Sequence, residues 1–209
     1  MNTPVVLIHW DDPTYYNCAI KQAEHWGNHV VGILDHYDIA YSMELDRWLI
    51  LKNYMRSSGY DRLVYIDSDV LLYTNVSPDF MDCDIALSRS HSGHTIFINN
   101  YHALEDFCDF AVMNHDDTEL VTRTRRRIPE GVFANSVGDM VLWNNFMFCS
   151  DYMFCDVTKP QHGAMYDHNI NTDGIVRFYD GIPYRGDFRM KSLHFQGDAK
   201  RWMKGSMND

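Results

Sequence analysis

Apolar and polar positions divide this chain into short segments of distinct period. "PVVLIHW" (4–10) and "HVVGILD" (29–35) are unbroken apolar runs of strand length, the pattern of buried strands. Between them "DDPTYY" opens a helix, with Asp12 as N-cap and Pro13 at the first helical position. That helix runs to about Trp26 and stops at Gly27. "SMELDRWLILKNYMRSS" (42–58) repeats its apolar positions at helical spacing and ends before Gly59. "RLVYIDSDVLLY" (62–73) is strand-like again. Strand, helix, strand, helix, strand predicts an α/β fold whose mixed, largely parallel sheet is flanked by helices. Farther on, "DIALSRS" and "GHTIFINN" read as shorter strands. "HALEDFCDFAVMNH" reads as a helix whose stripe of Leu104, Phe107, Phe110 and Ala111 faces a core. "SVGDMVLWNNFMF" is a further helix, and "GIVRFYDGIPY" and "MKSLHFQG" are late strands with turns. With no repeat, low-complexity tract or linker, a single domain over 1–209 is expected.

The anomaly in this pattern is the pair Asp67 and Asp69, set inside the most apolar segment of the chain. Residues two apart in a strand point the same way, so the carboxylates converge if the strand stays regular. If the chain turns there, they bracket one point instead. In either case like charges repel, and burial costs each its hydration. A divalent cation offsets both costs, and oxygen ligands suit Mg²⁺ or Mn²⁺. Open parallel sheets bind ligands at the C-terminal ends of their strands, which is where this pair falls. The apolar flanks argue against two solvated aspartates. Asp82 and Asp84 repeat the spacing after a Pro-containing turn, and there the solvated reading wins.

Composition narrows the partners. The chain has 209 residues, 45% hydrophobic, 14% aromatic and 22% charged, enough for one sizeable core. The net charge of −11 opposes binding to nucleic acid and to anionic membranes. A phosphate ligand would need a metal, a helix N-terminus or a few aimed cations. The one basic cluster, Arg123 to Arg127 in "RTRRR", reads as a solvated loop or helix face. Cys18, Cys83, Cys108, Cys149 and Cys155 are an odd set without a C-x-x-C pair, so reduced, mostly buried thiols are expected. No signal peptide precedes "MNTPVVLIHW", and no apolar run approaches the ~20 residues that span a bilayer. A soluble, cytoplasmic protein without a transmembrane segment is the expectation.

A strand ending in Asp-x-Asp after a βαβα half-domain resembles the GT-A glycosyltransferases. "LHFQGDAKRW" strengthens the resemblance: His194, Gly197, Lys200 and Trp202 match the H-x-x-G-x-x-K-x-W pattern of the glycogenin-like and lipopolysaccharide galactosyltransferase-like retaining enzymes. Arg201 stands where that family usually has Pro. The resemblance implies a Mn²⁺ or Mg²⁺ held by Asp67, Asp69 and His194, bridging the diphosphate of a UDP-sugar donor. It implies phosphate contacts from the Gly197 backbone and from Lys200, with Ser68 beside them. It also implies that Lys200 offsets the charge building on the departing UDP. "HWDDPTYY" is similar to the stretch that holds the uracil, with Asp11 accepting from the base N–H and Tyr15 stacking on it. Arg47 lies near where the family has an Arg facing the donor sugar and phosphates. "VGDMVLW" resembles a helix start whose acid and Gln lie beneath the sugar: Asp139 matches the acid, but Met140 replaces the Gln. "SHSGHTIFIN" resembles the loop and strand facing the sugar, which makes His91, Ser92 and Gly93 candidates.

The implied protein is a UDP-sugar-dependent hexosyltransferase acting on a glycan or glycoprotein acceptor, with retention. Residues 1–100 would form its nucleotide-sugar half and 101–209 its acceptor half. A compact unit of this kind is also similar to the glycosyltransferase domain of a large chlorella-virus protein, which would place it in the host cytoplasm. Two other readings stand beside this one. A haloacid-dehalogenase-type phosphatase would use Asp67 as nucleophile and Asp69 as acid, but its motif belongs on the first strand. A non-catalytic nucleotide-sugar or glycan-binding module would fit the loss of the Gln at Met140.

Overall fold

The structure, a computed structural model, describes residues 3–9, 13–34, 41–79, 82–89, 91–128, 137–172 and 174–207. Its spine is a six-stranded sheet in the order β2-β1-β3-β6-β5-β7. The strands are β1 (Pro4–His9), β2 (His29–Leu34), β3 (Leu63–Ile66), β5 (Ile85–Ser88), β6 (Ser92–Ile98) and β7 (Phe154–Asp156). β1 runs parallel to β2 and β3, and β5 parallel to β7, while β6 runs against β3 and β5. β4 (Val70–Leu72) leaves this sheet and pairs antiparallel with β12 (Ser192–His194). β8 (Ala164–Met165), β9 (Arg177–Tyr179), β10 (Ile182–Arg185) and β11 (Phe188–Met190) make a separate four-stranded sheet.

Both faces of the spine are covered, which explains its unbroken apolar runs. Side chains alternate along β1 and β3: Val5, Leu7, Val64 and Ile66 enter one core, and Val6, Ile8, Leu63 and Tyr65 the other. Helix α1 (Pro13–His25) packs on the first side together with β4 and β12. Helices α2 (Met43–Ser58), α3 (Tyr101–Asn114), α4 (Thr118–Arg127) and α5 (Asp139–Cys149) cover the second. There Trp48, Phe107 and Trp143 form a buried aromatic cluster, with Phe107 and Trp143 stacked at 3.4 Å between ring centroids. Gly93 lies against this cluster, and a Cβ on it would sit 2.5 Å from the Trp48 ring. Gly93, expected to face a sugar, is therefore a packing glycine.

The helix boundaries follow their local chemistry. Ser42 caps α2 by accepting from the Leu45 N–H at 3.2 Å, and Gly59 ends it at φ 70° with its N–H on the Met55 carbonyl. Pro13 opens α1 as expected, while Asp12, its expected cap, and Asp35 lie outside the described residues. The basic run belongs to α4, whose last turn carries Arg125, Arg126 and Arg127, where cations complement the helix dipole. Asp84 is half-buried and structural: its carboxylate takes Asn100 Nδ2 and the Met153 N–H, each at 2.8 Å. All five cysteines are free thiols, Cys18, Cys83 and Cys108 buried and Cys149 exposed. Among the described residues no helix is long and apolar enough to cross a membrane.

Candidate active site

The Asp67–Asp69 segment is where the chain passes from one sheet to another. The Asp67 N–H still bonds the His94 carbonyl of β6 at 2.9 Å, and the Val70 N–H closes a turn on the Asp67 carbonyl at 3.1 Å. The Asp69 carbonyl then accepts from the Phe195 N–H at 2.9 Å, beyond the end of β12. The spine thus anchors Asp67 and the β4–β12 pair anchors Asp69. Of the two arrangements open in the sequence, the structure adopts the turn. His194 ends β12 opposite Val70, which brings it to the same point. One ligand atom from each of Asp67, Asp69 and His194 lies within 4.8 Å of the other two.

The surroundings prepare this trio for a hard cation. The His194 Nδ1–H meets the His168 carbonyl at 2.6 Å, which in the neutral ring leaves the Nε2 lone pair for a cation, while in the protonated ring Nε2–H faces Asp69 Oδ1, 3.5 Å away. Burial opposes charge on His194, but the Asp69 hydrogen bond and charge outweigh it and raise its pKa. Burial likewise opposes the Asp69 charge, and His194 and Lys200 together reverse that and lower its pKa. Lys200 Nζ is 3.0 Å from Asp69 Oδ2. Asp67 is held through Oδ1, which accepts from Arg47 and from the Tyr65 hydroxyl, both at 2.7 Å. Two carboxylates and one imidazole, with open space beside them, are a donor set that Mn²⁺ or Mg²⁺ fits.

Arg47 ties this trio to the start of α5. Its guanidinium bonds Asp67 on one side and Asp139 on the other. Burial alone would weaken the Arg47 cation, but the two carboxylates hold it firmly charged. Asp139 is buried at the first position of α5, and its pKa is raised by that burial, with Arg47 pulling against the shift. Met140 follows it, half-buried.

Beside the trio and Arg47 is an open cleft of about 310 Å³, lined by Ile8, His9, Tyr15, Met43, Glu44, Arg47, Tyr65, Asp67, Ser68, Asp69 and Lys200. Apolar and aromatic walls lie at the ends of β1 and α1, and Lys200 sits 5.9 Å from the centroid of the Tyr15 ring. Gly197 opens the 3-10 helix Gly197–Trp202 at φ 60°, exposed and with nothing within 4 Å of where a Cβ would stand.

The structure therefore brings Tyr15, Arg47, Asp67, Ser68, Asp69, His194 and Lys200 together, with Asp139 reached through Arg47. Asp11 lies outside the described residues. His91 and Ser92 do not line the cleft: His91 bonds the Arg89 carbonyl at 2.6 Å, and Ser92 is buried in β6. Sequence reasoning missed His9, Met43, Glu44 and Tyr65 in the cleft wall, and His94, whose ring stacks on His194 at 4.0 Å between centroids. For Tyr65 the signal was present, since it stands two residues before Asp67 in a strand and so shares its side. For the others it was not.

No protein-family model matches the chain, and no curated protein matches it. Solved structures do. A glycosyltransferase involved in the glycosylation of the major capsid of PBCV-1 aligns at a TM-score of 0.55 and 11% identity, over 97% of this chain and 99% of that one. An active-site mutant of LgtC aligns at 0.50 and 14% identity, over 99% and 97%. The bifunctional glycosyltransferase WbbM aligns at 0.54 and 13% identity, over 96% of this chain but 46% of its own. The fold is the GT-A fold that these glycosyltransferases share.

Proposed function

We propose that the chain is a metal-dependent glycosyltransferase that moves a hexose from a UDP-sugar to a hydroxyl of a glycan acceptor, with retention at the anomeric carbon. The observation that carries this reading is the convergence of Asp67, Asp69 and His194 beside Lys200 in a cleft of about 310 Å³, within the fold described above. A divalent cation held there would supply positive charge against the diphosphate as it departs. Tyr15 and Ile8 flank the base, and the exposed Gly197 backbone and Lys200 meet the phosphates. Lys200 stabilises charge that grows only as the bond to the sugar breaks, which makes its contribution catalytic. Asp139 acts through Arg47, holding the guanidinium between itself and Asp67. With Met140 in place of a glutamine, attack from the face of the leaving diphosphate suits the site best.

The reading is tested by calorimetric binding of UDP-, GDP- and dTDP-sugars with and without Mn²⁺, followed by donor hydrolysis. UDP-sugars should bind and turn over only with the metal, and Asp69→Asn should abolish both. Equal binding without metal, or an unaffected Asp69→Asn variant, refutes it. Retention is checked separately by proton NMR of the first product formed, and an inverted anomer would overturn that part alone.

A further inference from the structure

His194 is gripped by one short run of chain. Its N–H donates to Asp167 Oδ2 at 2.9 Å, its carbonyl accepts from the Ile170 N–H at 3.1 Å, and its Nδ1–H meets the His168 carbonyl at 2.6 Å. Residues 167–170 thus hold the His194 backbone and aim its ring. The next N–H, of Phe195, turns to the Asp69 carbonyl instead.

Only the first of these bonds comes from a side chain. The Asp167 carboxylate is fully buried, and its other oxygen, Oδ1, takes Arg185 Nη2 at 2.7 Å. Arg185 is the last residue of β10, in the separate four-stranded sheet, and its side chain is largely buried as well. The Asp167 N–H bonds Ser192 Oγ at 3.2 Å, which fixes the residue from a third side.

A buried ion pair is a poor way to gain stability. Both charges lose their hydration, and apolar residues of similar volume often serve as well or better. What the pair supplies is direction. A carboxylate with one oxygen pinned by a guanidinium presents the other in a fixed place. Here that place is the N–H of a residue proposed to hold the metal. Ligand orientation depends on such supporting bonds, and losing one commonly weakens metal binding by about 10- to 100-fold.

Resting on the proposed function, we propose that Asp167 is a positioning residue for His194, and that Arg185 is the cation that neutralises and orients it. The four-stranded sheet thereby sets the geometry of a metal site whose three ligands lie outside it.

Equilibrium dialysis measures Mn²⁺ on wild type and three variants, each first shown to fold by its urea transition without metal. Arg185→Met leaves the Asp167 carboxylate buried without its cation and should weaken Mn²⁺ by about 10-fold or more. Asp167→Asn combined with Arg185→Met removes both charges but keeps an oxygen for the His194 N–H, and should bind within about 3-fold of wild type. Asp167→Leu combined with Arg185→Met removes that oxygen too, and should again lose about 10-fold or more. The two double variants contain no unpaired buried charge, so their comparison stands even where Arg185→Met does not fold. A pair that only braced the two sheets would lower the urea midpoint and leave Mn²⁺ affinity alone. Equal Mn²⁺ affinity in the two double variants overturns the inference, as does a folded Arg185→Met that binds like wild type. A wild type that holds no Mn²⁺ removes the underlying reading instead, and this one with it.

Discussion

His94 shows how one side chain serves the site from beneath. Its carbonyl fixes the Asp67 N–H, and its ring lies flat on His194. Only 2% exposed, it is held neutral: burial, and then the nearby His194, His168 and Arg47 charges, push its pKa well below 6.5. The unfolded chain therefore takes up a proton on this residue before the folded one does. Stability contributed this way is complete above the ordinary imidazole pKa and declines as pH falls below 6.5, by up to ~1.4 kcal/mol per pH unit for one group. His94→Leu should flatten the fall in melting temperature between about pH 7 and pH 5. A profile parallel to wild type would show that His94 is not the group responsible. Arg47 makes the opposite case, a cation that two carboxylates require. Arg47→Met leaves Asp139 buried without a counter-charge and should cost ~3 kcal/mol in urea unfolding at neutral pH.

At the scale of elements, local chemistry declares itself where one residue type is needed. Ser42 and Gly59 bracket α2 in sequence as they do in structure. Gly59→Ala keeps every contact, since nothing lies within 4 Å of the new Cβ, yet forces a left-handed φ on alanine. It should lower stability by about 1 kcal/mol, read from the urea midpoint. Gly93→Ala differs in cause: its methyl meets the Trp48 ring, and overpacking of this kind costs ~1–3 kcal/mol. Elements whose formation depends on distant partners were not legible. β7 and β8 are three and two residues long and carry no period of their own. The reversed direction of β6 is set by the hairpin-like return from β5, which apolar spacing does not encode. The pairing of β4 with β12 was equally hidden, because neither strand's residues name the other.

Across the whole molecule, the sheet spine could be read because both its faces are buried and its strands are uniformly apolar. Asp67, Asp69, His194 and Lys200 could be read because their chemistry is hard to explain singly. Glu44, in the cleft wall, could not, since an acid in a first helical turn is ordinary. The acidic surface gives a further expectation. At a net charge of −11, the free protein should show no retention on duplex DNA at ~0.15 M salt, and measurable retention would mean that the α4 arginines act together as a docking patch.

The β4–β12 pair has a consequence for biosynthesis. Val70 finds its partner in His194, so the candidate site joins an early stretch of the chain to a late one. Closing so long a loop is slow in folding terms, and its entropy is recovered only when the last strand docks. A ribosome-bound chain can thus bury much of its spine before two of the converging groups, His194 and Lys200, have emerged. Proteolysis that removes β12 and the turn after it should leave a chain unable to hold Mn²⁺, which equilibrium dialysis would detect. A product cut short before β12 therefore keeps the strands of the spine but lacks two of the four converging groups.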